Sequence, residues 1–394
     1  MKGLRNYLSK LKPTFSKGGK MAWFESGFEA IESLFFVPNT TTKKGAHIRD
    51  AIDMKRTMIM VIFALVPALL FGMFNIGYQN AASEGITRTI MENFWFGFIE
   101  MLPMIVVSYV VGLTIEIFFA QKRHHDVNEG FFVSGMLIPM IMPIDVPLWM
   151  VAVATAFAVI IGKEVFGGTG MNIFNPALLA RAFVFFAYPT SISGNTIWVA
   201  GMTEGTGVVD GFSGATPLSA AAEALNTGAD AINYGATGAW EWFVGLIPGS
   251  IGETSTLAIL IGAAILLFTK VASFRVMFGV FAGGYLMGLL FNLIGANVYM
   301  DMPAYYHLLL GGFAFGAVFM ATDPVTGSQT NRGKWIYGLL TGALAVAIRV
   351  LNPGYPEGMM LAILFMNAMV PLVDHYVVAG NIKARKKRVT KAAK

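Results

Sequence analysis

Residues 57–77 read TMIMVIFALVPALLFGMFNIG, a run with no charged side chain. A helix needs ~20 such residues to cross the hydrocarbon of a bilayer. Lipid offers a peptide group no hydrogen bond, so a run of this kind must pair its own backbone, which an α-helix does. The same reading extends along the chain. Further apolar stretches lie near 93–120, 130–142, 147–162, 174–188, 254–270, 275–295, 304–321, 335–351 and 358–378. Ten spans are predicted, give or take one. Three of the first five runs are short, so tilted, re-entrant or broken helices are expected there. Composition agrees: of 394 residues, 55% are hydrophobic and 13% charged, with mean hydropathy +0.62. Soluble domains carry roughly 25% charged residues. The fold expected is an all-α polytopic membrane protein.

Charge orders the spans. Eleven of the 28 Lys and Arg lie in 1–56 and seven in 383–394, flanking the apolar body. Lys122 and Arg123, Lys163, Lys270 with Arg275, and Arg332 with Lys334 follow the even-numbered runs. Basic residues gather on the cytoplasmic side of membrane proteins. Both termini are therefore expected in the cytoplasm of a bacterial inner membrane, and the net charge of +5 is not a sign of nucleic-acid binding. No apolar stretch before about 57 suggests a cleavable signal peptide. From Ala182 to Thr269 there is no Lys or Arg, so 189–240 is expected as the main extracytoplasmic loop. That loop divides ten spans into five and five, and an odd number per half gives two inverted five-helix repeats. Asn175-Pro176-Ala177 opens the fifth run and Asn352-Pro353-Gly354 precedes the tenth, at corresponding places. The expected units are a cytoplasmic N-terminal segment (1–56), a first membrane half (57–188), the loop (189–240), a second half (241–378) and a basic cytoplasmic tail (379–394). Within the first, Phe24, Phe28, Ile31 and Phe35 form one apolar helical stripe with Glu25, Glu29 and Glu32 opposite. Its acidic polar face favours contact with protein over lipid.

The absence of cysteine removes thiol nucleophiles, disulfides and cysteine-ligated clusters. None of His47, His124, His125, His307 and His375 forms a spaced pair on an apolar helix, as a bis-histidine haem requires. Electron transfer in this chain would need an organic cofactor. The most specific motif lies in the loop: Asp210-Gly211-Phe212-Ser213-Gly214-Ala215-Thr216-Pro217-Leu218. Its pattern Asp-x-x-Ser-Gly-Ala-Thr resembles the acceptor at which a flavin transferase joins FMN, through its phosphate, to a threonine hydroxyl. Gly214 is expected to give the tight turn such an enzyme needs, and Asp210 to serve its recognition. A second segment, Gly167-Gly168-Thr169-Gly170 to Asn172 and Asn175-Pro176, places irregular backbone at membrane depth, where it survives only in protein or beside a cavity. Gly168, Thr169, Asn172 and Asn175 are candidates to line a flavin ring. Glu116, Asp323 and Asp374 are acids in or beside spans, and such acids are functional candidates by default.

These motifs, with Val127-Asn128-Glu129-Gly130-Phe131-Phe132, Ile247-Pro248-Gly249-Ser250-Ile251-Gly252-Glu253, Ala321-Thr322-Asp323-Pro324 and Glu357-Gly358-Met359-Met360, run nearly the whole chain. So do His47-Ile48-Arg49-Asp50, Asp53-Met54-Lys55-Arg56 and Lys163-Glu164-Val165-Phe166. Together they resemble the B subunits of bacterial sodium-translocating NADH:quinone oxidoreductases. The resemblance implies covalent FMN on Thr216, with Ser213, Gly214 and Ala215 around it. It also implies non-covalent riboflavin, a quinone as substrate and sodium as the transported ion. Gly112, Leu113 and Glu116 match a Gly-Gly-x-x-Glu stretch tied to quinone, with Leu113 in place of the second glycine. Glu116, Asp323 and Asp374 match acids of the sodium path. Implied partners are the other subunits of a six-subunit complex, a flavin transferase and membrane lipid. Two rival readings stay open at this point: the related D subunit of the Rnf ferredoxin-oxidising complex, and a solute channel or transporter.

Overall fold

The computed structural model describes residues 54–123, 130–204, 208–209, 211–234, 238–352 and 357–392, with 2–16 and scattered positions before 49. Among these there is no β-strand. After α1 (Lys2–Phe15), the first half holds α2 (Met54–Glu84), α3 (Ile90–Arg123), α4 (Gly130–Ile141), α5 (Leu148–Val159) and α6 (Pro176–Ala187). Two short helices, α7 (Pro217–Thr227) and α8 (Ala239–Val244), belong to the connection. The second half holds α9 (Thr256–Phe268), α10 (Phe274–Ile294), α11 (Tyr306–Leu309), α12 (Phe313–Phe315), α13 (Asn331–Leu351) and α14 (Met359–Ala392). Each of the ten apolar runs is thus helical in whole or in part. The helices α2, α3, α10, α13 and α14 are long and apolar enough to cross a membrane; α4, α6 and α9 are shorter apolar helices. The protein is an all-α polytopic membrane protein, as its hydropathy led one to expect.

Packing follows one scheme in both halves. In the first, α3 packs on α4 and α5, and α5 on α6; in the second, α10 packs on α11 and α13, and α13 on α14. Across the halves α2 meets α9 and α6 meets α14, first on first and last on last. Contacts also sort the helix ends. Backbone and side-chain bonds tie Asn75, Asn80 and Ser83 of α2 to Ile247, Ala200 and Val209, and Asp145 to Gly201 and Thr203. Thr57, Gly130, Lys163, Asn175 and Asp323 meet instead around a cavity at the other end. Successive segments of the first half therefore run in alternating directions. The closest pairing is α10 with α13. A Cβ on Gly342 would lie 2.0 Å from the Val280 carbonyl oxygen, and one on Gly283 2.1 Å from that of Leu339. Glycines four apart on both helices (Gly279 and Gly283, Gly338 and Gly342) let the backbones touch, as helices in lipid do.

Three features depart from the sequence expectation. The eighth run is not one helix: it breaks at Leu310–Gly312, with Gly311 at φ +63°, and resumes through α12 into a wide π-helical turn at Gly316–Met320. The basic tail is no separate unit, since α14 continues through it to Ala392; Lys, Arg and Ala are good helix formers, and no proline intervenes after Pro371. The stretch 189–240 contains an eleven-residue helix, α7. Most of the acidic stripe at 21–36 lies outside the described residues, although Phe28 stacks on Phe15 of α1 with centroids 4.7 Å apart.

Candidate functional site

At the loop end, Thr216 is the N-cap of α7. Its backbone is extended, Pro217 takes the first helical position, and its hydroxyl oxygen accepts the Ser219 backbone N–H at 3.1 Å. This is the expected grammar of a helix start, where a short polar side chain satisfies an amide that the helix leaves free. Ser213 Oγ accepts from Ala215 N at 3.3 Å, and Ser219 Oγ donates to Asn195 at 2.7 Å. The turn itself falls at Gly211, φ +86°. Gly214 has another reason to be glycine: a Cβ there would lie 2.4 Å from the Asn195 carbonyl oxygen. Asp210 lies outside the described residues. Half-buried Thr216 stands between two spaces. Outward is a cleft of about 620 Å³ bordered by Gln79, Phe212, Ser213, Ala215 and Tyr234. That volume lies within the ~300–1,000 Å³ of ordinary cofactor sites. Burial, with Tyr306 beside it, pushes the Tyr234 phenol above its usual range, so the cleft meets it as a neutral donor. Inward is a smaller cavity with Trp198, Phe185 and Pro248 on its walls and Arg181, Glu253 and Thr254 deeper.

That inner cavity opens on a buried ionic cluster. Arg181 of α6 donates to both Glu253 oxygens at 2.9 and 3.0 Å, to Ser250 at 3.4 Å, and to Glu357. Gly312, at the break before α12, lies so close to Glu253 that a Cβ would be 2.5 Å from its carboxylate. Arg349 of α13, fully buried, donates to the carbonyls of His307 (2.7 Å), Leu310 (3.1 Å) and Glu357 (3.2 Å). The two arginines satisfy the carbonyls and carboxylates that the broken helix and the start of α14 would otherwise strand in an apolar interior.

At the opposite end the second candidate group assembles. Asn175 caps α6, accepting Ala177 N (3.0 Å) and Leu178 N (3.3 Å), and its amide donates to Asp323 at 3.2 Å. Thr169, Asn172, Asn175, Lys163 and Asp323 line one cavity. Gly168 adjoins this group with φ +101°, a conformation that glycine adopts freely. Glu116 reaches it through Lys163, with which it forms a buried ion pair; beside them Arg123 donates to Glu164 at 2.9 Å. Glu116 and Gly112 share the buried stripe of α3, one turn apart. The Phe131 ring covers Gly112 so closely that a Cβ would lie 1.8 Å from it. Leu113 points off that stripe and is half-buried. Asp374 is spent differently: it accepts from Ser328 Oγ (2.7 Å), Gln329 N (2.9 Å) and Thr330 Oγ1 (2.6 Å), holding the loop that starts α13. The residues named from sequence thus form two groups at opposite ends, with Asp374 apart from both.

The chain has counterparts along nearly its whole length among known proteins. The sequence profile of the NQR2, RnfD, RnfE family matches residues 41–383. The chain belongs to this family. It is 49% identical to the B subunit of the Na(+)-translocating NADH-quinone reductase of Chromohalobacter salexigens, covering 98% of this chain and 97% of that protein. The corresponding protein of Ectopseudomonas mendocina is also 49% identical, over 97% of this chain and 98% of its own length. That of Neisseria meningitidis serogroup B is 45% identical over 98% and 99%.

Reading the sequence alone missed the Arg181, Glu253 and Glu357 cluster and the role of Lys163. The signal for the cluster was present. Arg181 and Arg349 each sit inside an apolar run, where a cation is costly unless paired within the bundle. For Lys163 it was not: a basic residue at the end of a span reads equally as a topology marker.

Proposed function

We propose that this chain is the B-type membrane component of a sodium-translocating NADH:quinone reductase, carrying electrons to quinone and sharing in the outward movement of sodium. The observation that carries the flavin part is Thr216: a half-buried threonine hydroxyl in Asp-x-x-Ser-Gly-Ala-Thr, at a helix N-terminus, beside a cleft of cofactor size. Esterified to the phosphate of FMN, this oxygen would keep its place as helix cap. The first amides and the dipole of α7 favour the negative charge left on the phosphodiester. A bound flavin supplies reversible one- and two-electron chemistry; the chain holds it, orients it and sets its surroundings. Thr169 and Asn172 offer a hydroxyl and an amide to the edge of a riboflavin ring, and the cavity they line, about 100 Å³, has room for that edge alone. Gly112 and Leu113 border the quinone region, and Glu116 and Asp323 offer carboxylate oxygens to a hard cation such as sodium. Asp374 acts on the same path by holding the 328–330 loop.

In this reading the loop end faces outward across the bacterial inner membrane and both termini lie in the cytoplasm. The other subunits of a six-subunit complex and a flavin transferase are its partners, with lipid around the apolar faces. The test is direct. Purified from cells with the transferase, the denatured chain should fluoresce on a gel and carry an FMN-sized mass on the peptide containing Thr216. Thr216→Ala should lose both signals. Thr216→Asn keeps a capping oxygen but offers no hydroxyl, and so separates loss of the acceptor from loss of the fold. Covalent flavin persisting in Thr216→Ala would refute the site.

A further inference from the structure

The ion pair of Glu116 and Lys163 is buried on both sides, the side chains 3% and 5% exposed. Yet Glu116 is only half engaged: its second oxygen, Oε2, is buried with no hydrogen-bond partner. The ammonium comes from an unusual place. Lys163 lies in a π-helical turn, Ile160–Glu164, that continues α5, and Gly167, Gly168 and Gly170 follow at positive φ. Single π-turns within helices concentrate at functional positions. Lys163 also faces the cavity whose other wall carries Asp323, and Thr169 Oγ1 at that cavity is buried without a partner. Among the described residues Lys163 is the one cation lining this cavity and has two carboxylates to serve, Glu116 beside it and Asp323 across it, while the neighbouring Glu164 is matched by Arg123. One more monovalent cation would bring the set to neutrality, which an interior of low polarity favours.

We infer that Lys163 is a tethered competitor of the transported sodium ion: its ammonium holds Glu116 until sodium displaces it, and Asp323 across the same cavity receives the displaced ammonium. The chemistry suits the residue. Lysine carries a compact charge on a flexible four-carbon stem, so it can leave one carboxylate for another without unfolding its helix. The unpartnered oxygen of Glu116 is a ready first ligand for the incoming ion. This inference rests on the reading of Glu116 as part of the sodium path.

The experiment uses the assembled complex in proteoliposomes and measures the sodium concentration giving half-maximal quinone reduction, with sodium uptake followed in parallel. Lys163→Met removes the competitor, and half-saturation should fall about fivefold or more, a usual size for coupled ligands. Lys163→Arg replaces it with a guanidinium that grips a carboxylate through two N–H groups; half-saturation should rise by about as much. Opposite shifts are the signature, because damage to the structure would move both variants the same way. Shifts of one sign, or none, overturn the inference. Should Lys163→Met fail to assemble, as judged by its covalent flavin on a gel, Lys163→Arg decides alone: an unchanged or lowered value refutes the competitor. Glu116→Gln tells the two levels apart. If it leaves the sodium dependence as in the parent, the reading of Glu116 fails and the inference with it. If it alters that dependence while the lysine variants do not, only the inference falls.

Discussion

Removing the Arg181 guanidinium is the sharpest test of how the interior is held. Arg181 bridges Glu253 and Glu357, whose side chains are 7% and 18% exposed, and it is itself 4% exposed. In Arg181→Met the volume is roughly kept, but two carboxylates lose their shared cation. Breaking a buried pair by deleting one partner costs ~3–5 kcal/mol. Most of that should come from Glu253, since Glu357 has some access to water. The complex, solubilised in detergent, heated in steps and followed by the monodisperse fraction, should lose its midpoint by about 4–6 °C, at ~2.1 cal/mol/K of unfolding entropy per residue over this chain of 394. Arg181→Lys should fall between, because one ammonium cannot fork to two carboxylates as a guanidinium does. Adding Glu253→Gln to Arg181→Met should return much of the loss by removing one stranded charge. An Arg181→Met variant that melts within a degree of the parent would refute the reasoning, as would a double variant no better than the single.

At the seam of α10 and α13, Gly342→Val should separate the two helices, since even a Cβ there would stand 2.0 Å from the Val280 carbonyl; a sharp fall in the folded yield in detergent, against a near-parent yield for the open position Gly380→Ala, checks it. Leu113→Gly should cost only about 1 kcal/mol of helix propensity, because Leu113 lies off the buried stripe of α3; its effect should appear in the inhibitor sensitivity of quinone reduction at little change in thermal midpoint, and an unchanged sensitivity would detach Leu113 from the quinone region.

How much was legible beforehand differs by feature. The ten apolar runs were readable because each depends on local composition; the structure adds the helix starts at Thr216-Pro217, Ser255 and Asn175-Pro176, whose capping acts within four residues. Gly214 was expected to make the tight turn, which the structure puts at Gly211; what excludes a side chain at Gly214 is the carbonyl of Asn195, far away in sequence. The break at Leu310–Gly312 was hidden for a related cause. Hydropathy there is unbroken, and what stabilises the broken backbone is Arg349, 39 residues beyond Leu310, donating to the carbonyls the break sets free.

The sequence by itself determined that this chain lives in lipid, that its backbone must be helical there, and to which family it is similar. Those follow from the cost of moving peptide groups and charges out of water, which each segment meets on its own. Only the tertiary structure decided which charges are neighbours. Lys163 became the partner of Glu116, Arg181 the bridge between Glu253 and Glu357, and Asp374 a clasp on the 328–330 loop. In an apolar interior a charge is tolerated only beside its complement, and which complement reaches it is fixed by how distant helices pack.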